Sequence, residues 1–274
     1  MSYGRQAARR APAAARVASG GGLSLSEFSS WLAALEQRHL ANLTRSELTR
    51  ALRALSSVYV ERREKLTGGA ALDGAGKRAA FALFYGPLHF LTLDAVVRAL
   101  GAHTRSLDTI VDLGCGTGVG AAAWALACER PPRVRGIDRN AWAVSEANWT
   151  YNQLGLRGRA SSGDAVREFG APRSSDSPAL FAYTINELPD KDRAVLLEKI
   201  AGAARNRASF LIVESIAKRD KAWWPEWSDR LRREGARVDE WRFPADLPPS
   251  LAQVARSAGL DPRELTARTI YKGP

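Results

Sequence analysis

The spacing of apolar residues divides the chain into two parts. Between residues 23 and 103, apolar positions recur every three or four residues, as they do along one face of an α-helix. The pattern breaks over residues 67–76 and restarts on either side of Gly86-Pro87. We therefore predict an all-helical N-terminal annex that begins with two helices. One face of those two helices carries Phe28, Leu32, Leu35, Leu48, Leu52 and Leu55.

From Ser106 onward, short β-rich runs alternate with helical segments. Near-continuous apolar strands that alternate with helices predict a mostly parallel sheet with helices on both faces, an α/β fold. Five strands are expected in the order LDTIVDLG, RVRGID, RASSGD, ALFAYTI and SFLIVES. Helices are expected at about residues 118–129, 140–154, 190–205 and 220–234. Two more strands, ARVDEWRF and LTARTIYK, flank a helix near residues 249–258.

Length and composition fit this division. A chain of 274 residues with 45% hydrophobic and 25% charged residues is ordinary for one main globular domain with an attachment. We expect a disordered basic arm at residues 1–22, the annex at 23–103 and the α/β domain at 104–274. The 40 Lys+Arg against 29 Asp+Glu give a formal charge of +11, which favours polyanions such as RNA as partners. An arginine-rich composition also accompanies GC-rich coding sequence, so the net charge alone does not identify a partner.

Cysteine content and hydropathy bear on the location of the protein. Cys115 and Cys128 are too few for a disulfide framework or a zinc knuckle, and the three histidines suggest no metal cluster. No stretch approaches the roughly 20 apolar residues of a membrane span, so we expect a cytoplasmic protein without a membrane partner. The arginines of residues 1–22, with no acid before Glu27, also fit a mitochondrial presequence or an arm that contacts nucleic acid. A solvated tail is the favoured interpretation.

The string VDLGCGTG, residues 111–118, indicates a ligand site. A strand that ends at Asp112 and a helix that begins near Gly118 place Gly114 and Gly116 in a tight turn. A missing Cβ there permits unusual dihedrals and close approach of a ligand. A dinucleotide fingerprint fits only Gly116, Gly118 and Ala121, and it leaves Asp112 and Gly114 without a role.

The complete string resembles motif I of the class I S-adenosylmethionine-dependent methyltransferases, because it matches acid-x-Gly-x-Gly-x-Gly at every position. The resemblance implies a Rossmann-like methyltransferase fold with S-adenosylmethionine as the cofactor. It also implies that the loop, with Cys115 and Thr117, passes beneath the methionine part of the cofactor. Asp112 would serve the ammonium group of that methionine, directly or through water. On its own, Cys115 is best explained as a small loop residue.

Two further acids end predicted strands. Asp138 lies twenty residues beyond Gly118, where a carboxylate can accept both ribose hydroxyls of an adenosine, and Arg139 beside it joins the same site. Asp164 follows the third strand, where the methyltransferase family commonly has an acid that reaches the adenine amino group. Each acid alone could be a turn or cap residue. Because open parallel sheets bind ligands at the carboxyl ends of their strands, we expect all three acids to meet in one crevice.

The segment FAYTINELPDKDR is the predicted place of chemistry. Methyl transfer from a sulfonium needs alignment and removal of a proton, so few catalytic side chains are expected. Asn186 would orient an acceptor, and Glu187 would accept a proton or bind a cationic group. A cap or turn ahead of Pro189 is an equally good explanation of Asn186. An Asn-Pro-Pro-Tyr motif, used by many amino-directed nucleic-acid methyltransferases, does not occur, and no cysteine is near for attack on cytosine.

The segment AKRDKAWWPEWSDRLRREGARVDEWRF mixes basic residues with tryptophans. Lys218, Arg219, Lys221 and the arginines that follow could pair phosphates while the tryptophans stack on bases. The same pattern fits an amphipathic helix with tryptophans in the core and solvated arginines, the interpretation we favour slightly. The tryptophans are Trp223, Trp224, Trp227 and Trp241.

Several segments together, among them KRAAFALFYGPLHFLTLDAVVRAL, TINELPDKDRAVLLEKI and LIVESIAKRD, resemble the Rsm22 family of methyltransferase-like proteins linked to the small ribosomal subunit. The family often carries cysteines for an iron–sulfur cluster after the strand equivalent to LIVES; none occurs here, so no cluster is inferred. We expect a methyltransferase acting on RNA or the small ribosomal subunit. The alternatives are a small-molecule methyltransferase with the annex as a lid and a non-catalytic ribosome-binding factor.

Overall fold

A computed structural model of the protein describes residues 22–61, 72, 74–170, 176–216 and 222–273. The basic arm predicted at residues 1–22 lies outside these ranges except for Gly22. The basic residues of segment 217–221 also lie outside them.

A mixed seven-stranded sheet forms the centre of the described structure, in the order β3-β2-β1-β4-β5-β7-β6. Strands β1 to β5 are parallel to one another, whereas β7 is antiparallel to both β5 and β6. The mostly parallel sheet is therefore confirmed, and each predicted strand is present. The strands are β1 (Thr109–Leu113), β2 (Arg133–Asp138), β3 (Gly158–Ser162), β4 (Ala179–Ala182), β5 (Phe210–Glu214), β6 (Arg237–Pro244) and β7 (Glu264–Lys272).

Helices cover both faces of this sheet. Successive side chains of a strand point to opposite faces, so both faces present apolar side chains against which helices pack. On one face, residues such as Ile110 and Leu211 share a core with α5, α6, α10 and the annex. On the other face, Phe181 and Ile212 pack against α7, α8 and α9. The helices of the α/β domain are α5 (Val119–Ala127), α6 (Ala141–Gln153), α7 (Ala165–Glu168), α8 (Asp190–Arg205), α9 (Trp223–Arg233) and α10 (Pro249–Ser257).

The annex is helical, as predicted, but one expected break is absent. Helices α1 (Leu25–His39) and α2 (Arg45–Glu61) are followed by α3 (Ala75–Ala80), a π turn (Phe81–Tyr85) and α4 (Gly86–Leu100). The last three form one uninterrupted helical stretch. Its continuity at Gly86-Pro87 has a physical reason: the Gly86 N–H donates to the Phe81 carbonyl five residues back. Pro87, which has no N–H to donate, therefore sits in the first turn of a new α-helical segment.

This stretch, Ala75–Leu100, has 26 residues and by length and composition alone could cross a membrane, contrary to the sequence expectation. However, 61% of its most apolar window is buried inside the protein. A buried core helix meets the same criteria, so these properties are weak evidence for a membrane span.

The annex is joined to the α/β domain by apolar packing and by one buried ionic contact. Leu93, Val96 and Val97 of α4 belong to the same core as α5. The carboxylate of Glu146 on α6 accepts hydrogen bonds from Arg38 of α1 at 2.8 to 3.1 Å and contacts His39 at 3.1 Å. Glu146 is buried, so this contact fixes the orientation of α1 on α6.

The tryptophans of α9 and β6 are core residues. Trp223 and Trp224 are each 8% exposed, Trp227 is 1% exposed and Trp241 is 5% exposed. The amphipathic-helix interpretation of this segment is therefore confirmed, and these rings cannot stack on bases. The neighbouring Arg230 pairs with Glu234 and Glu198.

Candidate functional site

A cavity of about 590 Å³ opens at the carboxyl edge of β1, β2, β4 and β5. Its other wall is formed by the π turn and α4 of the annex. The sheet topology thus brings together residues that are far apart in the sequence, as expected for an open parallel sheet. The predicted site residues that line the cavity are Asp112, Gly114, Cys115, Gly116, Thr117, Asp138, Arg139, Asn186 and Glu187.

The three glycines of the loop have positive φ angles, +77° at Gly114, +52° at Gly116 and +79° at Gly118. A Cβ on Gly114 would lie 2.3 Å from the Thr184 side chain, and one on Gly118 would lie 2.8 Å from the Tyr151 ring. A Cβ on Gly116 would meet no atom of the described residues within 4 Å. Gly114 and Gly118 therefore permit packing inside the protein, whereas Gly116 leaves the cavity side of the loop open to a ligand.

The loop is held to the end of β2 by its own backbone. The Gly114 and Cys115 N–H groups donate to the Ile137 carbonyl at 2.8 and 3.0 Å. The Gly116 N–H donates to Asp138 Oδ2 at 2.9 Å, and Oδ1 of the same carboxylate accepts from the Asn140 N–H at 2.8 Å. Because a carboxylate oxygen can accept two hydrogen bonds, each oxygen of Asp138 retains capacity on the cavity side. The backbone thus orients Asp138 in advance of any ligand.

Asp112 carries a buried acceptor atom that no described residue satisfies. The side chain is 1% exposed, and its Oδ2 accepts from the Ala121 N–H at 3.1 Å. Its Oδ1 has no hydrogen-bond partner among the described residues. Burial raises the pKa of Asp112 to about 7, the Ala121 N–H opposes this shift, and the charge of Asp138 adds to it. A cation placed beside Oδ1 would restore the ionised form.

The two remaining loop side chains differ in character. Thr117 Oγ1 is also buried without a partner in the described part of the chain, so it can contact a ligand. The thiol of Cys115 packs beneath the loop, where a Cβ on Gly136 would lie 2.8 Å from its sulfur. Burial, followed by the charges of Asp112 and Asp138, raises the pKa of the Cys115 thiol well above its usual value. Cys115 is therefore a packing residue whose thiol is unreactive.

Asp164 occupies a different position from the other two acids. Its Oδ1 accepts from the Arg167 N–H at 2.8 Å at the start of α7, and Oδ2 pairs with Arg139. Burial alone would raise the pKa of Asp164, but the hydrogen bonds from Arg139 and from the Arg167 backbone lower it overall. Gly163 and Ala165 line the cavity on either side of Asp164. The contact of Asp164 with an adenine amino group stays a prediction.

Asn186 and Glu187 lie on a 3₁₀ turn that follows β4, and both face the cavity. The Asn186 N–H donates to Glu214 Oε1 at 3.1 Å. Helix α8 begins at Asp190 after Pro189, and no side-chain cap is present at this described helix start. The cap explanation of Asn186 is therefore wrong, and the alternative of a turn residue agrees with its place on the 3₁₀ turn.

Four aromatic residues that the sequence analysis did not identify line the cavity, three on the annex and one directly after β4. The rings of Phe81, Tyr85 and His89 lie within 6.1 to 6.3 Å of one another, and the His89 ring stacks on Tyr183 at 4.0 Å with an interplanar angle of 19°. Their spacing of four residues in the annex places the first three on one helix face, a signal that was present in the sequence. Burial lowers the pKa of His89 to about 4, so this imidazole is neutral at physiological pH.

Tyr183 and Glu214 line the cavity at the ends of the neighbouring strands β4 and β5. Tyr183 has a φ of +60°, a rare conformation for a residue with a side chain, directly after β4. Burial, offset by a hydrogen bond with Thr92 and increased by the charge of Glu214, raises the pKa of its hydroxyl. Glu214 ends β5, is 2% exposed and lines the cavity. The sequence segment LIVES contains no local signal that Glu214 lines a cavity. That position depends on the parallel pairing of β4 and β5.

In the described part of the chain, no group of three or more histidine, cysteine, aspartate or glutamate side chains is arranged to hold a metal ion.

Comparison with known proteins supports the fold and little more. No family model and no curated protein matches the sequence. Among solved structures, the mitomycin 7-O-methyltransferase MmcR is similar over 89% of this chain and 72% of its own, with 18% identity and a TM-score of 0.50. The 1,6-didemethyltoxoflavin-N1-methyltransferase of Burkholderia thailandensis, solved with S-adenosylhomocysteine, covers 84% of this chain and 91% of its own at 18% identity and a TM-score of 0.45. A SAM-dependent methyltransferase from Aquifex aeolicus covers 76% and 95% at 18% identity and a TM-score of 0.45. The chain has the Rossmann-like fold of the class I S-adenosylmethionine-dependent methyltransferases, preceded by a helical annex.

Proposed function

We propose that this protein is an S-adenosylmethionine-dependent methyltransferase whose acceptor binds between the sheet edge and the annex. The observation that carries the proposal is the buried Oδ1 of Asp112, which has no hydrogen-bond partner among the described residues and belongs to the same cavity wall as the open Gly116. A buried carboxylate oxygen without a partner is unfavourable unless a ligand supplies a donor or a positive charge. The methionine ammonium group of the cofactor supplies both.

The other residues of the loop fit the same cofactor. Asp138 is oriented to accept hydrogen bonds from ribose hydroxyls, and the Thr117 hydroxyl can meet a polar atom of the ligand. A dinucleotide fits less well, because its negative pyrophosphate would lie against a loop flanked by Asp112 and Asp138. S-adenosylmethionine brings an ammonium and a sulfonium to these acids, so its charges complement the site.

The bound cofactor supplies an activated methyl group, and the residues of the chain have to align an acceptor with it. Asn186 and Glu187 lie at the end of β4, on the cavity wall, where they can hydrogen-bond an acceptor. Phe81, Tyr85 and His89 of the annex line the same space, where their rings would limit the access of water to a bound acceptor. Burial lowers the pKa of His89 to about 4, so its imidazole is neutral and adds no charge to this wall.

The size of the cavity favours a small acceptor over a polymer. Its volume of about 590 Å³ has to hold the cofactor as well as the acceptor, and it falls within the range of roughly 300–1,000 Å³ that is common for small-molecule pockets. RNA or the small ribosomal subunit is a second candidate, favoured by the formal charge of +11. A non-catalytic factor that keeps the cofactor site would bind ribosomes whether or not the cofactor is bound.

Calorimetry with S-adenosylhomocysteine tests the cofactor site. The wild type should bind, Asp138→Ala should lose most of the affinity, and Asp261→Ala, an exposed acid outside the cavity, should bind normally. Failure of the wild type to bind S-adenosylhomocysteine, together with binding of NAD, would overturn the proposal.

Transfer of labelled methyl groups from S-adenosylmethionine into a cell extract, separated into RNA, protein and small molecules, identifies the acceptor class. Label among the small molecules is expected with wild-type protein and not with Asp138→Ala. Label in RNA would favour the second candidate. No transfer to any fraction, with ribosome binding unchanged in Asp138→Ala, would indicate the non-catalytic factor.

A further inference from the structure

Four aromatic side chains that line the cavity keep part of their surface accessible. They are Phe81, Tyr85 and His89 of the annex and Tyr183 after β4, and each is only partly buried. The centroids of neighbouring rings are 4.0 to 6.3 Å apart, so the rings are in contact with one another. We call these four residues the ring cluster. Accessible aromatic surface inside a concave site is available for contact with a ligand.

The π turn of the annex aligns three of these rings. An α-helix has about 3.6 residues per turn, so a step of four residues completes more than one turn. A π turn bonds each residue to the fifth residue along the chain, so the same step completes less than one turn. The step from Phe81 to Tyr85 crosses the π turn, and the step from Tyr85 to His89 is α-helical. The two deviations oppose each other, and the three rings therefore stay on one face of the helical stretch.

The ring cluster adjoins the glycine loop from two directions. On the annex side, a Cβ on Gly86 would lie 3.6 Å from Thr117 Oγ1, so the end of the π turn packs against the loop. On the sheet side, the Thr184 hydroxyl lies 3.2 Å from the Gly114 carbonyl oxygen, and Tyr183 directly precedes Thr184. A group that is held by the ring cluster is therefore close to a cofactor that is bound by the loop.

Tyr183 is fixed in place by contacts with the annex. Its φ of +60° is an unfavourable conformation, which persists only where the surrounding structure enforces it. Its ring stacks on His89 with an interplanar angle of 19°, and its hydroxyl forms a hydrogen bond with Thr92 of α4. Because this ring is already ordered, a ligand that packs against it does not have to immobilise it.

A flat aromatic ring is the ligand group that gains most from such a surface. Aromatic pairs gain from stacked and edge-to-face contacts in addition to the burial of apolar area, whereas a saturated ring gains from burial alone. Burial lowers the pKa of His89 to about 4, so its ring is neutral and packs as an uncharged aromatic ring.

We propose that the methyl acceptor presents a flat aromatic ring, which packs against Phe81, Tyr85, His89 and Tyr183 and carries the heteroatom that is methylated. The proposal rests on the proposed methyltransferase function and specifies its substrate class. The lone pair of the heteroatom forms the new bond to the methyl carbon. The S–CH₃ bond breaks with its electron pair left on sulfur, and the heteroatom loses its proton to water.

Two matched pairs of neutral probes test the substrate class on protein saturated with S-adenosylhomocysteine. Phenol is compared with cyclohexanol, and 2-naphthol with decahydro-2-naphthol, by titration with ligand-observed NMR. We expect the aromatic member of at least one pair to bind about fivefold more tightly than the saturated member. Equal or tighter binding of the saturated member in both pairs, or no binding of any probe at millimolar concentration, would overturn the proposal.

Three variants show whether the ring cluster causes the preference. Phe81→Leu and His89→Leu should weaken the aromatic probe more than the saturated one, because leucine fills space without a ring. Tyr271→Leu is the matched control, since it removes a partly buried ring that does not line the cavity described above. It should keep the wild-type preference. Loss of the preference in either cavity variant supports the proposal, and an unchanged preference in both would contradict it.

Affinity for S-adenosylhomocysteine, measured by calorimetry on the same samples, distinguishes the two levels of failure. Absence of that affinity in the wild type would refute the proposed function, and the substrate class with it. Normal affinity without a preference for the aromatic probes would refute only the substrate class.

Labelled methyl transfer in extracts distinguishes the two sources of an aromatic ring. A free aromatic compound would carry the label in the small-molecule fraction, in a product that absorbs in the ultraviolet. A nucleobase would carry the label in RNA, in nucleosides released by digestion. Label in a product that has no aromatic ring would overturn the proposal.

Discussion

Replacement of Asp112 by asparagine removes a buried, titratable carboxyl group whose Oδ1 has no hydrogen-bond partner in the described part of the chain. Burial, partly opposed by the Ala121 N–H and increased by the charge of Asp138, raises the pKa of this carboxyl from 3.8 to about 7. At a pH between 3.8 and about 7, Asp112 is protonated in the folded protein but ionised in the unfolded chain. The free energy of unfolding of the wild type must therefore fall as the pH rises through this window. Asparagine at position 112 does not titrate, so the variant lacks this contribution.

The size of the effect follows from the two pKa values. Each unit of difference between the folded and unfolded pKa corresponds to about 1.4 kcal/mol of stability. The stability stops changing once the pH exceeds the folded pKa of about 7. From about pH 5 to about pH 8, the stability of Asp112→Asn relative to the wild type should thus increase by roughly 3 kcal/mol. The amide oxygen can still accept from the Ala121 N–H, but the amide nitrogen replaces Oδ1 without a partner, at a cost of about 1–3 kcal/mol that does not depend on pH.

Urea unfolding of both proteins at about pH 5, 6, 7 and 8 measures this difference, since contributions from other titrating groups cancel between them. We expect the difference to rise up to about pH 7 and then to stay level. A difference that is flat across the series, or that shrinks as the pH rises, would refute the reasoning. It would mean that Asp112 is either hydrated or already neutralised in the unliganded protein.

The same substitution should separate stability from binding. Asp112→Asn should bind S-adenosylhomocysteine at least about tenfold more weakly than the wild type, because the ammonium group loses its carboxylate partner. Wild-type binding should itself weaken as the pH falls below about 7, where Asp112 becomes protonated. Calorimetry of both proteins across the pH series measures this directly. Binding that is equal in the two proteins would exclude an ionic role for Asp112.

Two further predictions concern the contact between annex and domain and the glycine loop. Glu146→Ala should lower the free energy of unfolding by roughly 2 kcal/mol, because it leaves Arg38 and His39 without their buried partner. Glu36→Ala removes only the exposed pair with Arg45 and should change the free energy of unfolding by less than about 1 kcal/mol. Urea unfolding checks both, and equal effects would show that the buried contact is dispensable. Gly114→Ala should lower stability by more than about 2 kcal/mol, because its Cβ would lie 2.3 Å from Thr184, and Gly155→Ala, with a similar φ but open space, by about 1 kcal/mol. Thermal unfolding compares them, and equal losses would mean that Thr184 moves aside.

Local patterns in the sequence determined the order of the elements and the position of the cofactor loop. Strands β1 to β5 and helices α5, α6 and α8 follow from periodicity and turn residues, which depend on near neighbours only. The four-residue helix α7 was not predicted, because it is too short to show a periodic pattern. The three acids at strand ends were found for the same reason, because each follows a recognisable strand. The tertiary structure nevertheless distinguishes them: Asp112 and Asp138 line the cavity, whereas Asp164 caps α7 and pairs with Arg139.

Only the tertiary structure decided the features that depend on contacts between distant segments of the chain. The continuous helix through Pro87 is possible because the preceding π turn places the proline in the first turn of a new segment, a geometry that residue preferences alone did not predict. The stacking of His89 on Tyr183 and the burial of Glu214 arise where the annex and two parallel strands meet. Charge and aromatic surface inside the cavity are properties of that meeting place. Sequence periodicity reports which face of an element is buried, but not which distant element it is buried against.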